Sequence, residues 1–111
     1  MNIDIQDEQN EQLKLLLDII TNKPYRDENI LICNNILKNF RGIINYNINN
    51  NPLTVEVLIA HQKHFQSLDW FIYLIKNGAN PNHIQLLEFI NQCSKSKVYK
   101  EILFNVIEFN D

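Results

Sequence analysis

Apolar residues recur at helical spacing almost from one end of this chain to the other, and that spacing limits its possible folds more than any other feature. Leu13, Leu16, Leu17 and Ile20 fall at i, i+3, i+4 and i+7. This puts side chains on one face of a helix, whereas a strand would need alternation. Ile30, Cys33, Ile36, Leu37 and Phe40 form a second stripe, and Leu68, Phe71, Ile72 and Ile75 another. Leu86, Leu87, Ile90 and Cys93 follow, then Ile102, Leu103, Val106 and Ile107. Strand-like alternation is nearly absent, so an all-α fold is expected.

The punctuation between stripes sets the helix count. A first helix is predicted to start near Asp4 or Asp7 and to stop at TNKPYRD, because proline disfavours helical geometry in the residue before it. Asp27 is the expected cap of the second helix. FRGIINYNINN is the longest irregular stretch. Asparagine hydrogen-bonds its own backbone and tolerates left-handed geometry, which suits turns. Ile43, Ile44, Tyr46 and Ile48 could form a short extended piece, but the sequence shows no partner strand. Asn51 reads as the cap of a third helix, with Pro52 as its first residue and an end near His61 or His64. Ser67 is the expected cap of a fourth helix that stops at Asn77-Gly78. Asn82, with Gln85 three residues on, reads as a capping box for a fifth. After SKSK, a sixth is predicted over Val98 to Phe109. With 111 residues the chain is read as one domain, 1–111, of about six helices.

These helices fall into pairs. The second, fourth and sixth end in similar text, and the only two glycines, Gly42 and Gly78, follow the first two of those ends, 36 residues apart. A period in the thirties implies helical hairpins stacked into a short solenoid, since one hairpin cannot bury its own apolar face. Asn51-Pro52-Leu53-Thr54, followed by Tyr73-Leu74-Ile75-Lys76-Asn77-Gly78-Ala79-Asn80-Pro81-Asn82, resembles the ankyrin-repeat family. That family opens an inner helix with Thr-Pro-Leu-His and closes a leucine-rich outer helix with Gly-Ala-Asp-x-Asn. The resemblance covers residues 51–82 and implies three stacked hairpins, with approximate repeats at 7–42, 47–78 and 82–111. Several departures stand out: Asn for Thr, Thr for His, Glu56 where the family has a small residue, and about six extra residues near HQKHFQ. The last of these lengthens the inner helix or its turn.

Composition excludes several functions. Hydrophobic residues make up 45% and charged residues 21%, which is globular rather than disordered. A net charge of −3 with no Lys/Arg cluster supplies neither a nucleic-acid face nor a polybasic membrane anchor. No apolar run reaches the roughly 20 residues of a membrane span. MNIDIQDEQNEQ is acidic and polar and lacks the regions of a secretory signal. A cytoplasmic location is therefore expected, and signal-independent export to a host cell is compatible with it. Cys33 and Cys93 both lie on apolar stripes and read as buried free thiols.

Chemistry-bearing constellations are sparse. His61 and His64 share a helix face and could begin a zinc site, with Asp69 a possible neighbour. The alternative is a pair of surface histidines, and this is the reading adopted. Cys33, Cys93 and the histidines could in principle make a nucleophile pair, but thiols on buried stripes are inert. Two glycines cannot build a phosphate loop. No catalytic, cofactor or metal site is predicted. Trp70 and Tyr73 are expected to pack in the core.

What remains is recognition. The resemblance implies a protein–protein interaction module that binds a partner protein through its concave and loop face. Tyr46 is the expected anchor, with Asn47, Asn49, Asn50, Glu56 and His83 around it. Two other functions fit the same residues. One is a dedicated inhibitor, such as an immunity protein or an antagonist of a bacterial effector or toxin, steered by negative charge. The other is a structural homo-oligomer whose stack ends pair. Monomer or homo-oligomer stays open at this level.

Overall fold

The computed structural model describes residues 2–64 and 68–110, with side chains described over 7–64 and 68–106. Six α-helices run in order: α1 (Asn2–Asn22), α2 (Asp27–Asn39), α3 (Leu53–His64), α4 (Asp69–Lys76), α5 (Ile84–Gln92) and α6 (Ser96–Asn110). A single 3₁₀ turn (Ile43–Asn45) and two short strands, β1 (Asn47–Ile48) and β2 (Asn51–Pro52), lie between α2 and α3. The all-α reading with six helices therefore holds.

Successive helices pack as hairpins, α1 with α2, α3 with α4 and α5 with α6. The hairpins then stack: α3 lies between α1 and α5, and α4 packs on α6. One core runs through the stack, from Leu16 and Ile20 through Leu53, Leu58, Phe71 and Leu74 to Leu86, Ile90 and Tyr99. The four stripes from the second helix onward, like the first, turn their predicted residues inward, with two differences. Leu87 is exposed, and Ile107 lies outside the residues whose side chains are described.

Trp70 and Tyr73 are buried, as expected, and lock the first seam of the stack. The indole Nε1–H of Trp70 donates to the Lys23 carbonyl at 2.8 Å. Its ring meets Tyr25 edge-on at 4.9 Å and Tyr73 at 5.3 Å. The Tyr73 hydroxyl donates to Asn34 Oδ1 on α2 at 2.6 Å. Each buried ring thus has a partner for its polar atom, which a buried Trp or Tyr needs. Burial, with Cys33 and Tyr25 nearby, raises the Tyr73 pKa above the ordinary tyrosine value.

Helix ends depart from the predicted caps in instructive ways. Asp27 is the first residue of α2 rather than its cap; Arg26 holds the cap position, and the acids Asp27 and Glu28 lie in the first turn, where the helix dipole favours them. Asn51 and Pro52 form a strand, so α3 starts at Leu53, one residue later than predicted. His83, not Asn82, caps α5, its Nδ1 accepting from the Gln85 N–H at 3.1 Å. The α1 and α6 helices begin earlier than predicted, at Asn2 and Ser96. Most of the extra HQKHFQ text lengthens α3 through His64. The Ser67 cap lies outside the described residues.

Both glycines work as the sequence suggests. Gly78 has φ +106°. Its N–H donates to the Ile75 carbonyl and that of Ala79 to the Leu74 carbonyl, at 3.2 and 3.0 Å. This pair of bonds is a Schellman motif, which requires left-handed geometry at its central residue. Gly42 is also left-handed, at φ +87°, but it lies beyond the end of α2, in a turn closed by the Ile43 N–H on the Phe40 carbonyl at 3.2 Å, and it caps the 3₁₀ turn.

Candidate functional site

The asparagine-rich loop is not irregular. β1 and β2 pair antiparallel, with Asn47 opposite Pro52 and Ile48 opposite Asn51. Asn49 and Asn50 connect them with φ of 53° and 67°. Two successive left-handed residues define the two-residue hairpin whose twist matches the strands. Asparagine accepts that geometry at lower cost than other non-glycine residues, because its short polar side chain bonds locally. The sequence carried this signal as Asn-Asn between Ile48 and Asn51; a partner strand of only two residues, one of them proline, concealed it.

The finger is fastened to the next joint of the stack. Asn45 Nδ2 donates to the Gly78 carbonyl at 3.1 Å, and Asn45 Oδ1 accepts from the Asn80 N–H at 2.9 Å. Gln85 Nε2 donates to the Asn50 carbonyl at 2.7 Å. Ile48 is half-buried and packs on the core, while Asn47, Asn49 and Asn50 face solvent. Tyr46, at the base of the finger, is 43% exposed. The predicted anchor and the three asparagines therefore share one fixed, solvent-facing projection. Asn45 was not among the predicted residues, and Gln85 was read only as the capping-box partner of Asn82; their contacts across more than 30 positions of sequence reveal this role.

Glu56 and His83 take different parts. Glu56 is half-buried, and its Oε1 accepts from Asn51 Nδ2 at 3.3 Å, which ties the base of the finger to the first turn of α3. It also lines a shallow groove of about 170 Å³ between α1 and α3, with Leu17, Thr21, Ile59 and Lys63. His83 is half-buried and spends Nδ1 on capping, so its role is to start α5 beside the finger.

The two histidines of α3 diverge despite their spacing. His61 Nδ1 lies 2.8 Å from the buried Tyr99 hydroxyl on α6, with the rings edge-on. His64 is exposed and lines the α1–α3 groove. Burial, and secondly the positive charge of Lys95, lower the His61 pKa below the ordinary 6.5. Among the described residues, no three His, Cys, Asp or Glu side chains are grouped so as to hold a metal ion. No described helix is long and apolar enough to cross a membrane.

Both thiols are free. Cys33 is buried, and burial pushes its pKa up to about 12, so it stays protonated at neutral pH. Cys93 is half-buried rather than buried; it accepts from Gln62 Nε2 at 3.0 Å and donates to the Phe89 carbonyl at 3.1 Å. A groove of about 490 Å³ opens beside it, between the ends of α3 and α5. His61 is turned to Tyr99 and Cys93 to Gln62 and Phe89, so these groups lace the second hairpin to the third.

No family model, curated protein or solved structure matches the chain.

Proposed function

We propose that this chain is a non-catalytic, divergent ankyrin-like module that binds a partner protein through the asparagine finger and the adjoining inner face of α3. The observation that carries this reading is the pinned hairpin. Tyr46, Asn47, Asn49 and Asn50 are exposed, yet the loop beneath them is held by three hydrogen bonds to the next joint. A loop ordered before binding loses less conformational entropy on binding, and a tyrosine among adaptable amides makes an effective contact patch. The groove beside Glu56 extends the surface along α3. The ankyrin-like assignment draws on the Gly78–Asn82 text and on the stacking of hairpins. Two free thiols suit a reducing, cytoplasmic setting.

The test compares capture from native-cell extract by the wild type, by a finger variant and by an outer-face control. The finger variant combines Tyr46→Ala, Asn47→Ala and Asn50→Gly, the last keeping the left-handed turn while removing the side chain. Leu31→Gln, on the exposed side of α2, is the control. A partner bound by wild type and control but lost by the finger variant, with helical circular dichroism unchanged, is the expected result. Equal capture by all three would reject this face.

A further inference from the structure

Asn77-Gly78 is the one asparagine–glycine step in the chain, and both residues are exposed. Such a step carries chemistry of its own. The backbone nitrogen of the second residue can attack the side-chain carbonyl carbon of the first, and glycine has no Cβ to hinder the approach. The folded joint keeps the two groups apart. Asn77 caps the C-terminus of α4 with ψ of 12°, which turns the Gly78 nitrogen away from the Asn77 side chain. The Gly78 N–H donates to the Ile75 carbonyl at 3.2 Å, and Asn77 Nδ2 donates to the Tyr73 carbonyl at 2.8 Å. Asn45 holds the same joint from outside, through the Gly78 carbonyl and the Asn80 N–H. Ring closure therefore requires the joint to open first, and each of these bonds resists opening.

We propose that Asn77 is a site of spontaneous deamidation, gated by opening of the joint between α4 and α5, and that its product releases the Asn45 clamp on the finger. The Gly78 nitrogen gives its proton to hydroxide and bonds to Asn77 Cγ. The Cγ–Nδ2 bond breaks, and Nδ2 takes a proton from water and leaves as ammonia. The resulting five-membered succinimide takes up water at either of its carbonyls, opening to aspartate or to isoaspartate. Water is the only co-reactant, and nothing is oxidised or reduced.

Neither product restores the joint. An aspartate at 77 lacks the donor that Asn77 offers to the Tyr73 carbonyl, and it places negative charge at a helix C-terminus, where the dipole disfavours it. Isoaspartate also adds a methylene to the main chain between residues 77 and 78. That shifts the Gly78 carbonyl and the Asn80 N–H, the two groups that Asn45 binds. The Gln85 bond to Asn50 is then left to hold the finger. The inference stands whether or not the finger binds a partner.

Peptide mapping by mass spectrometry tests it on the full chain, incubated at mildly alkaline pH either folded or unfolded in urea. The readout at each asparagine is the mass gained when an amide becomes an acid. Asn77 should convert first in both conditions, and more slowly in the folded chain, because local opening precedes the chemistry. Asn45→Ala, with helical circular dichroism unchanged, should speed folded-state conversion about fivefold or more, the factor that losing one ordinary hydrogen bond gives an opening equilibrium. It should leave the rate in urea unchanged. The deamidated product, separated by its added negative charge, should show faster hydrogen exchange at the Asn80 amide. Earlier conversion at another asparagine, or a folded chain that never converts at Asn77, would overturn the site. A folded rate equal to the rate in urea, or unaltered by Asn45→Ala, would overturn the gate. Unchanged exchange at Asn80 in the product would overturn release of the clamp.

Discussion

The middle and last hairpins are built from similar text, yet they are used differently. In α4, Trp70, Phe71, Tyr73, Leu74 and Ile75 are all buried within an eight-residue helix, because neighbours cover it on several sides. In α6, the described side chains bury Tyr99, Leu103 and Val106 along one side and leave Phe104 72% exposed. The same residue type, phenylalanine, is core at position 71 and surface at position 104. Burial in a stack is thus a property of the neighbour as much as of the helix, which is why single hairpins of this kind are not stable alone.

Substitution is the strongest way to break that contrast. Trp70→Ala removes a buried ring and its bond to Lys23, and should lower stability by about 3–5 kcal/mol in denaturant unfolding. Phe104→Ala, on the open side of α6, should change it by no more than about 0.5 kcal/mol. Comparable losses at the two sites would mean that Phe104 is covered in the folded chain. A smaller effect is expected at the joint between the two hairpins. Gly78 has open space where a Cβ would go, so Gly78→Ala is disfavoured by its φ of +106° alone, by about 1–2 kcal/mol. Gly78→Asn should cost less, because asparagine tolerates left-handed geometry better.

The mildest test concerns pH at the lace between the same hairpins. His61 has a folded pKa below its unfolded value of 6.5. The unfolded chain therefore binds more protons in that interval, and stability rises with pH there. Its contribution is fully present above about 6.5 and is lost as pH falls through the folded pKa. Unfolding midpoints measured across this window should drop on acidification, and His61→Gln should flatten that part of the profile. An unchanged slope in the variant would assign the acid sensitivity to other groups.

How far these features were legible depends on the range of the forces behind them. The helices were readable because stripes such as Leu13-Leu16-Leu17-Ile20 encode a local period. So was the stop at Gly78, since glycine answers a local dihedral demand. The caps were only half readable. Asn82 and His83 are both able to accept a backbone N–H, and residue type alone does not choose between them. Least legible were the finger and its fastenings. A two-residue ladder has almost no periodic signal, and the Gln85–Asn50 and Asn45–Gly78 bonds join positions whose proximity exists only once the hairpins stack. Exposure of Leu87 was hidden for the opposite reason: its position fits the stripe of Leu86, Ile90 and Cys93, and only the absence of a covering neighbour among the described residues distinguishes it.

Trp70 is the chain's single tryptophan, and its indole is sealed at the seam between the first and second hairpins. Its fluorescence therefore reports that seam alone, while the far-ultraviolet helical signal sums over all six helices. A stack that melts as one unit gives coincident curves from the two probes. One that frays from the α5–α6 end loses ellipticity while the emission stays blue. The protein thus carries an internal gauge of its own cooperativity, with no label to attach.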